Sequence, residues 1–363
     1  MALVAALRFD GRSGAVCADQ ETWFLLRRKT LLGDLIYSLG PTGIKQVEGT
    51  EVLYAGVGHP SFHHEVAARA RADIQAACAA DPRIAGNPQA LGGLVRGAFA
   101  RTMRRRADDQ LRFIYGFSTA DLHRGSFTFG GETVAIAQDR VKQRALSVAQ
   151  LKEEAGGGAT PPNEACLGVL ASDGSYSAYA LKAEDCVLSY QSCGFDALGQ
   201  GRLAAASRVA KQLNTMYLSS RRAGVGRELG LFILIDAVLE AWDHYGQVGG
   251  GLRIVIADST ISGNRKLLEL ADERGRLGME LVRAERADLL TREQAIDLLN
   301  GLAYGGIPWQ KIEQRMFMEC RDFLQLEKLL RGYKTAEGGL PASPLLRELL
   351  TAPAMDDCGG GNA

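Results

Sequence analysis

The side chains able to do chemistry are scattered along this sequence and are not gathered into one motif. Seven cysteines (Cys17, Cys78, Cys166, Cys186, Cys193, Cys320 and Cys358) occur with no pair at CxxC spacing. That is the pattern of free thiols in a reducing compartment, not of a disulfide framework. Of the five histidines only His63 and His64 are adjacent, and neighbours on a helix diverge by about 100°, too far to share a metal easily. No zinc spacing is present, so neither a metal nor a cofactor is expected. Cys166 opens an apolar run, but making it a terminal nucleophile would require cleavage after Ala165, and an internal sheet strand fits the stretch better. Cys193 stands beside Ser192 and reads as a small buried residue. Arg101, Arg104, Arg105 and Arg106 suggest an anion patch, yet Asp108 and Asp109 follow at once; a solvated helix end, favoured by the helix dipole, accounts for them. No GxGxxG follows a first strand and no GxxxxGK[ST] occurs, so the common nucleotide-binding loops are not expected.

Bulk composition narrows the classes further. The 363 residues carry 42 Lys+Arg against 42 Asp+Glu, a formal net charge of zero. Phosphate binding needs a clustered cationic excess, so a nucleic-acid-binding module built on the Arg101–Arg106 helix is the weakest reading. Hydrophobic residues make up 46%, which argues for a folded chain. The longest strongly apolar stretch, 229–242, contains Asp236 and Glu240 and is too short to span a bilayer. Met1 to Arg8 lacks the basic start and long apolar core of a signal peptide. A protein made and kept in the cytoplasm is expected.

Around these residues the pattern reads as strands first. Leu3–Phe9 and Ala15–Ala18 flank the turn pair Asp10-Gly11 and predict an opening hairpin. Val52–Gly58 is a buried strand, Pro60 to about Ala80 a helix, and Gln89–Arg106 a second helix. Arg112–Phe117 and Ser126–Ile136 alternate like strands, and 156–162 is loop composition. A second hairpin spans the turn at Asp173-Gly174, followed by a strand over Val187–Ser192. Helices over about Asp196–Tyr217 and Arg227–His244 lead to a buried strand, Leu252–Ala257. Strands, helix pair, strands, helix pair and a final strand predict an α+β protein. The expected architecture is a four-layer α-β-β-α sandwich, two sheets with a helix pair on each outer face. From about Asp258 charge-rich helices are expected. Thr291 to Gln294 forms a capping box, and Pro308 opens a long helix with Ile312, Met316, Cys320, Phe323 and Leu326 on one side. The domains are placed at 1–258, with an insertion at about 118–163, and at 259–363, a helical extension.

Four stretches in this order resemble the proteasome β-subunit family and its bacterial relatives, which have the N-terminal-nucleophile hydrolase fold. They are Leu3–Leu7 with its hairpin into Ala15–Asp19, Val52–Gly58 before a helix, Tyr190–Gly199, and Gly249–Ile256. The resemblance implies a nucleophile at an N-terminal Thr whose own α-amine is the base, tuned by a Lys and an Asp, with a backbone N–H holding the oxyanion. Asp19 matches that Asp, Lys45 that Lys, and Ser192 (or Cys193) the first Ser of the family's Gly-Ser-Gly turn. Met1, Ala2 and Leu3 occupy the nucleophile position, and none has a hydroxyl or thiol. Val248 stands where a second Ser belongs, and Asp243 lies two residues from the position of a further carboxylate. The resemblance therefore implies a homo-oligomer forming single or stacked rings that has lost standard threonine-peptidase activity. Such a ring would have a polypeptide substrate or an associated unfoldase as partner. The alternative is an active peptidase or amidohydrolase with a matured N-terminus or an unconventional Ser or Cys nucleophile.

Overall fold

A computed structural model describes residues 3–19, 21–24, 27–30, 35–149, 163–182, 188–190, 194–220, 225–245, 248–249 and 251–331. In chain order, β1 (Leu3–Arg8), β2 (Ser13–Asp19), β3 (Glu21–Phe24), β4 (Arg27–Thr30), β5 (Ile36–Ser38) and β6 (Glu51–Val57) precede α1 (Pro60–Ala80) and α2 (Pro88–Tyr115). Next come α3 (Thr119–Arg124), β7 (Ser126–Phe129), β8 (Glu132–Ala135) and α4 (Asp139–Ala149). Strands β9 (Glu164–Leu170), β10 (Tyr176–Leu181), β11 (Leu188–Tyr190) and β12 (Phe195–Gly199) lead to α5 (Arg202–Ser220) and α6 (Arg227–His244). Then follow β13 (Leu252–Asp258), β14 (Leu267–Leu270), α7 (Asp272–Arg286), α8 (Arg292–Ala303), α9 (Trp309–Glu319) and α10 (Phe323–Arg331). The chain forms two compact units, Met1–Arg276 and Leu277–Ala363.

The protein is mixed α+β, and its strand pairs are antiparallel. One five-stranded sheet runs β12-β1-β2-β13-β14 and another β11-β10-β9-β6-β5. Alternate side chains of the two sheets share one core: Val4, Ala6, Val16 and Val255 meet Leu53, Cys166, Leu170 and Tyr176. The opposite face of β6 and β9 carries Val52, Tyr54, Leu167 and Val169, on which Phe62, Val66 and Ile74 of α1 and Leu91, Val95 and Phe99 of α2 pack. Helices α5 and α6 contact each other; α5 also meets β12, and α6 meets β1 and β2. Burial on both faces explains why β1, β2 and β9 read as continuous apolar runs without alternation.

Several boundaries differ from the sequence reading, each for a local reason. Arg112–Phe117 is not a strand: α2 continues to Tyr115 and stops at Gly116, whose φ of 78° suits glycine. The Arg101–Arg106 cluster is therefore mid-helix. There Arg101 pairs with Asp73, while Arg105 and Arg106 pair with Glu65 across to α1. Asp196 belongs to β12, opposite Ala6 of β1, and its helix starts only at Arg202. The residues expected as one helix from Pro308 form α9 and α10, because Cys320 turns extended and Asp322 accepts from Gln325 N–H at 3.0 Å to start a new helix. Beyond 258, β14 adds a strand to the first sheet before the helices begin. The stretch between α2 and β9 carries its own small core, with Phe117, Ile136, Ala145 and Val148 around Leu111 of α2.

Candidate functional site

Asp19 ends β2 fully buried, in register with Leu252 of β13. Its Oδ1 accepts the N–H of Leu3 at 2.7 Å and its Oδ2 the N–H of Gly249 at 3.1 Å. A buried carboxylate survives only with such partners, and here both are backbone donors, Leu3 lying 16 residues from Asp19 in sequence and Gly249 lying 230. The side chain thus fastens the entry of β1 to the entry of β13. Leu3 opposes Gly199 of β12 on the other side, so four strands and one loop converge on this end of the sheet. Beside it Val248 is buried, with its N–H donated to Tyr245 O at 2.9 Å, and Asp243 is exposed on α6.

Lys45 lies elsewhere. It stands exposed on the short 3-10 turn Lys45–Val47, and no ion pair joins it to Asp19. Met1, Ala2, Ser192 and Cys193 lie outside the described residues. Cys166 is central in β9 and fully buried, its Sγ 4.0 Å from Val4 O and 3.9 Å from Asp196 O. Burial, then the nearby Asp196 carboxylate, hold its thiol well above the usual range, the opposite of what a thiolate nucleophile needs. Cys17 is likewise pushed up to about 12, mainly by burial.

Two buried polar groups to which the sequence assigned no role are built with care. His63, on the inner face of α1, contacts Val57 O through Nε2 at 2.8 Å and Tyr54 Oη through Nδ1 at 2.6 Å. A carbonyl only accepts, so Nε2 carries the proton and the Tyr54 hydroxyl donates to Nδ1. Burial, chiefly, lowers the His63 pKa to about 4. Gly56 is required beneath this ring, since a Cβ there would lie 2.0 Å from Nδ1. Asp236, inside the apolar helix α6, accepts from Arg208 Nε at 2.6 Å and from Gln212 Nε2 at 2.8 Å. The available signals were a carboxylate within an apolar helix and an Arg and Gln one turn apart on the preceding one.

Between the open ends of the two sheets lies a cleft of about 290 Å³, with Ile36, Leu53, Val255 and Leu267 among its walls and Arg253 and Arg265 at its rim. Arg253 Nε is 2.6 Å from Glu269 Oε1. Arg265 is exposed, and its charge acts on Glu51, whose carboxyl is raised chiefly by burial and accepts the Lys266 N–H at 3.2 Å. Among the described residues no group of three His, Cys, Asp or Glu is placed to hold a metal ion. No described helix is long and apolar enough to cross a membrane.

No family model matches the chain, and no curated protein does. Among solved structures it is similar to Anbu, the ancestral beta-subunit from Yersinia bercovieri. The identity is 8%, the coverage 79% of this chain and 93% of that chain, and the TM-score 0.47. At that identity and TM-score the likeness assigns no activity to this chain.

Proposed function

We propose that the chain is a proteasome-type subunit of the N-terminal-nucleophile class: a four-layer α-β-β-α core that assembles into rings and lacks standard threonine-peptidase chemistry. The observation that carries this reading is the fastening of the Leu3 amide by Asp19 at the mouth of two facing antiparallel sheets. In this class a strand-end Asp beside the first residue of β1 belongs to the catalytic end. Here β1 begins Leu3-Val4-Ala5, without a hydroxyl or thiol. A nucleophile and its base act as a unit, so loss of one member abolishes the reaction and does not merely slow it. Both carboxylate oxygens of Asp19 are engaged by backbone N–H groups, which suits a retained structural role after the chemistry is gone.

Rings follow from the class, since heterologous contacts between identical subunits close into cyclic assemblies. Sizing with electron microscopy is expected to show a closed ring; a monomer at micromolar concentration overturns the assembly half of the proposal. Incubation with fluorogenic peptides and with electrophiles that trap Thr, Ser or Cys nucleophiles is expected to give no turnover and no adduct by intact mass. An adduct mapped to Ser192, Cys193 or a processed N-terminus would replace the inactive reading with that of an active amide hydrolase.

A further inference from the structure

We propose that β14 is a docking edge, taking an extended peptide as an added antiparallel strand whose acidic side chains reach Arg265 at the rim of the inter-sheet cleft. β14 is the terminal strand of its sheet. Asp258 N–H donates to Lys266 O at 3.0 Å, and antiparallel pairing alternates inward and outward residues. Lys266, Leu268 and Leu270 therefore turn their backbone groups toward β13, and Leu267 and Glu269 turn theirs outward. Such a row of outward N–H and C=O groups is a template for another chain. The strand reads Leu-Leu-Glu-Leu, with no Pro or Lys within it to discourage pairing.

The other sheet's terminal strand does not offer the same opportunity. There Leu39 N–H donates to Val52 O, so Ser38 is an outward residue of β5, and its carbonyl already accepts from Arg71 Nη2 at 2.9 Å. Two edges thus flank one cleft, and one of them is occupied by a guanidinium.

Charge decides the class of peptide. Around the cleft Arg253, Arg265 and Lys266 face Glu51 and Glu269. Arg253 is tied to Glu269 and Lys266 Nζ to Ile261 O, while Arg265 is exposed. The balance is cationic over an apolar floor. An incoming strand with alternating apolar and acidic residues turns its acidic face to the cleft rim, within reach of Arg265.

Fluorescence anisotropy with a labelled alternating Val/Glu heptapeptide tests this on the full-length protein. Hydrogen exchange is read at Leu267 and Glu269. Saturable binding is expected, with slowed exchange at those two amides. A tenfold or greater loss is expected with Arg265→Glu, an exposed site at which the fold is checked by thermal melting, and with a Val/Lys peptide. N-methylation of alternate peptide amides should abolish binding. Absence of saturable binding overturns the proposal. So does indifference to N-methylation, equal affinity for the Lys peptide, or protection of the same amides by self-association without peptide. The proposal requires no peptidase or ring chemistry, so its failure leaves the ring-subunit reading standing.

Discussion

Asp19 and His63 show how single residues bind distant parts of the fold. Leu3 and Gly249 each present an N–H to Asp19, and a group with two acceptors satisfies both. Asp19→Ala leaves the buried N–H groups of Leu3 and Gly249 unmatched and is expected to cost about 2–5 kcal/mol by urea unfolding. Asp19→Asn recovers only part of that, because its NH2 would face one of the two N–H groups. His63 makes a signed prediction about pH. Its pKa falls from an ordinary 6.5 to about 4 in the folded state, so the unfolded chain binds the proton more readily. The His63 contribution is complete above pH 6.5 and is lost as pH drops toward 4, by up to roughly 3 kcal/mol. Unfolding free energies measured across that window should lose this slope in His63→Gln, and an unchanged slope would remove His63 as its cause. Asp19 was legible from the sequence because it ends an apolar run. His63 was not, since a histidine on an apolar helix face carries no mark of the tyrosine and carbonyl it will meet.

Elements were legible where local signals and tertiary pairing agreed. Pro60 and Pro88 open α1 and α2 at the positions where a missing N–H costs nothing. The Thr291 capping box closes as read, with Thr291 Oγ1 accepting from Gln294 N–H at 3.2 Å and Gln294 Oε1 from Thr291 N–H at 2.9 Å. Thr291→Ala is expected to cost about 1 kcal/mol and Thr291→Ser almost nothing, by thermal or chemical melting. Helix α7 depends instead on closeness to the sheet: a Cβ on Gly275 would lie 2.1 Å from the carbonyl oxygen of Leu252. Gly275→Ala is expected to destabilise by at least about 2 kcal/mol in the same assay, since a backbone atom cannot rotate away. Elements failed to be legible where pairing was remote. Phe195–Gly199 becomes a strand because β1, some 190 residues earlier, supplies its partner. Helix α2 outran its expected end because the arginines taken for a solvated terminus are held by Glu65 and Asp73 of α1.

At the scale of the molecule the two sheets meet through Tyr176. Its ring fills the space over Gly14 and Gly168, where added Cβ atoms would lie 2.1 Å and 2.4 Å from ring carbon Cε1 and the hydroxyl. The hydroxyl is buried without a protein partner. Tyr176→Phe is therefore expected to leave stability unchanged or raise it by up to about 1 kcal/mol. Gly168→Ala should lower stability and be partly rescued by Tyr176→Phe; denaturation of the double mutant measures that coupling. By itself the sequence determined which runs are buried, where chains turn, that two helix pairs alternate with strands, and that β1 opens Leu-Val-Ala without a hydroxyl or thiol. Those follow from side-chain polarity and local backbone preference, which act within a few residues. The tertiary structure alone decided that Asp19 holds Leu3 and Gly249, that Lys45 stands exposed without an ion pair to it, and that Cys166 is fully buried. It alone made β14, among the described residues, the last strand of its sheet, beside the cleft that Arg253 and Arg265 line. Those outcomes depend on which backbone donors and which neighbouring strands arrive from far along the chain, and spacing in sequence does not encode that arrival.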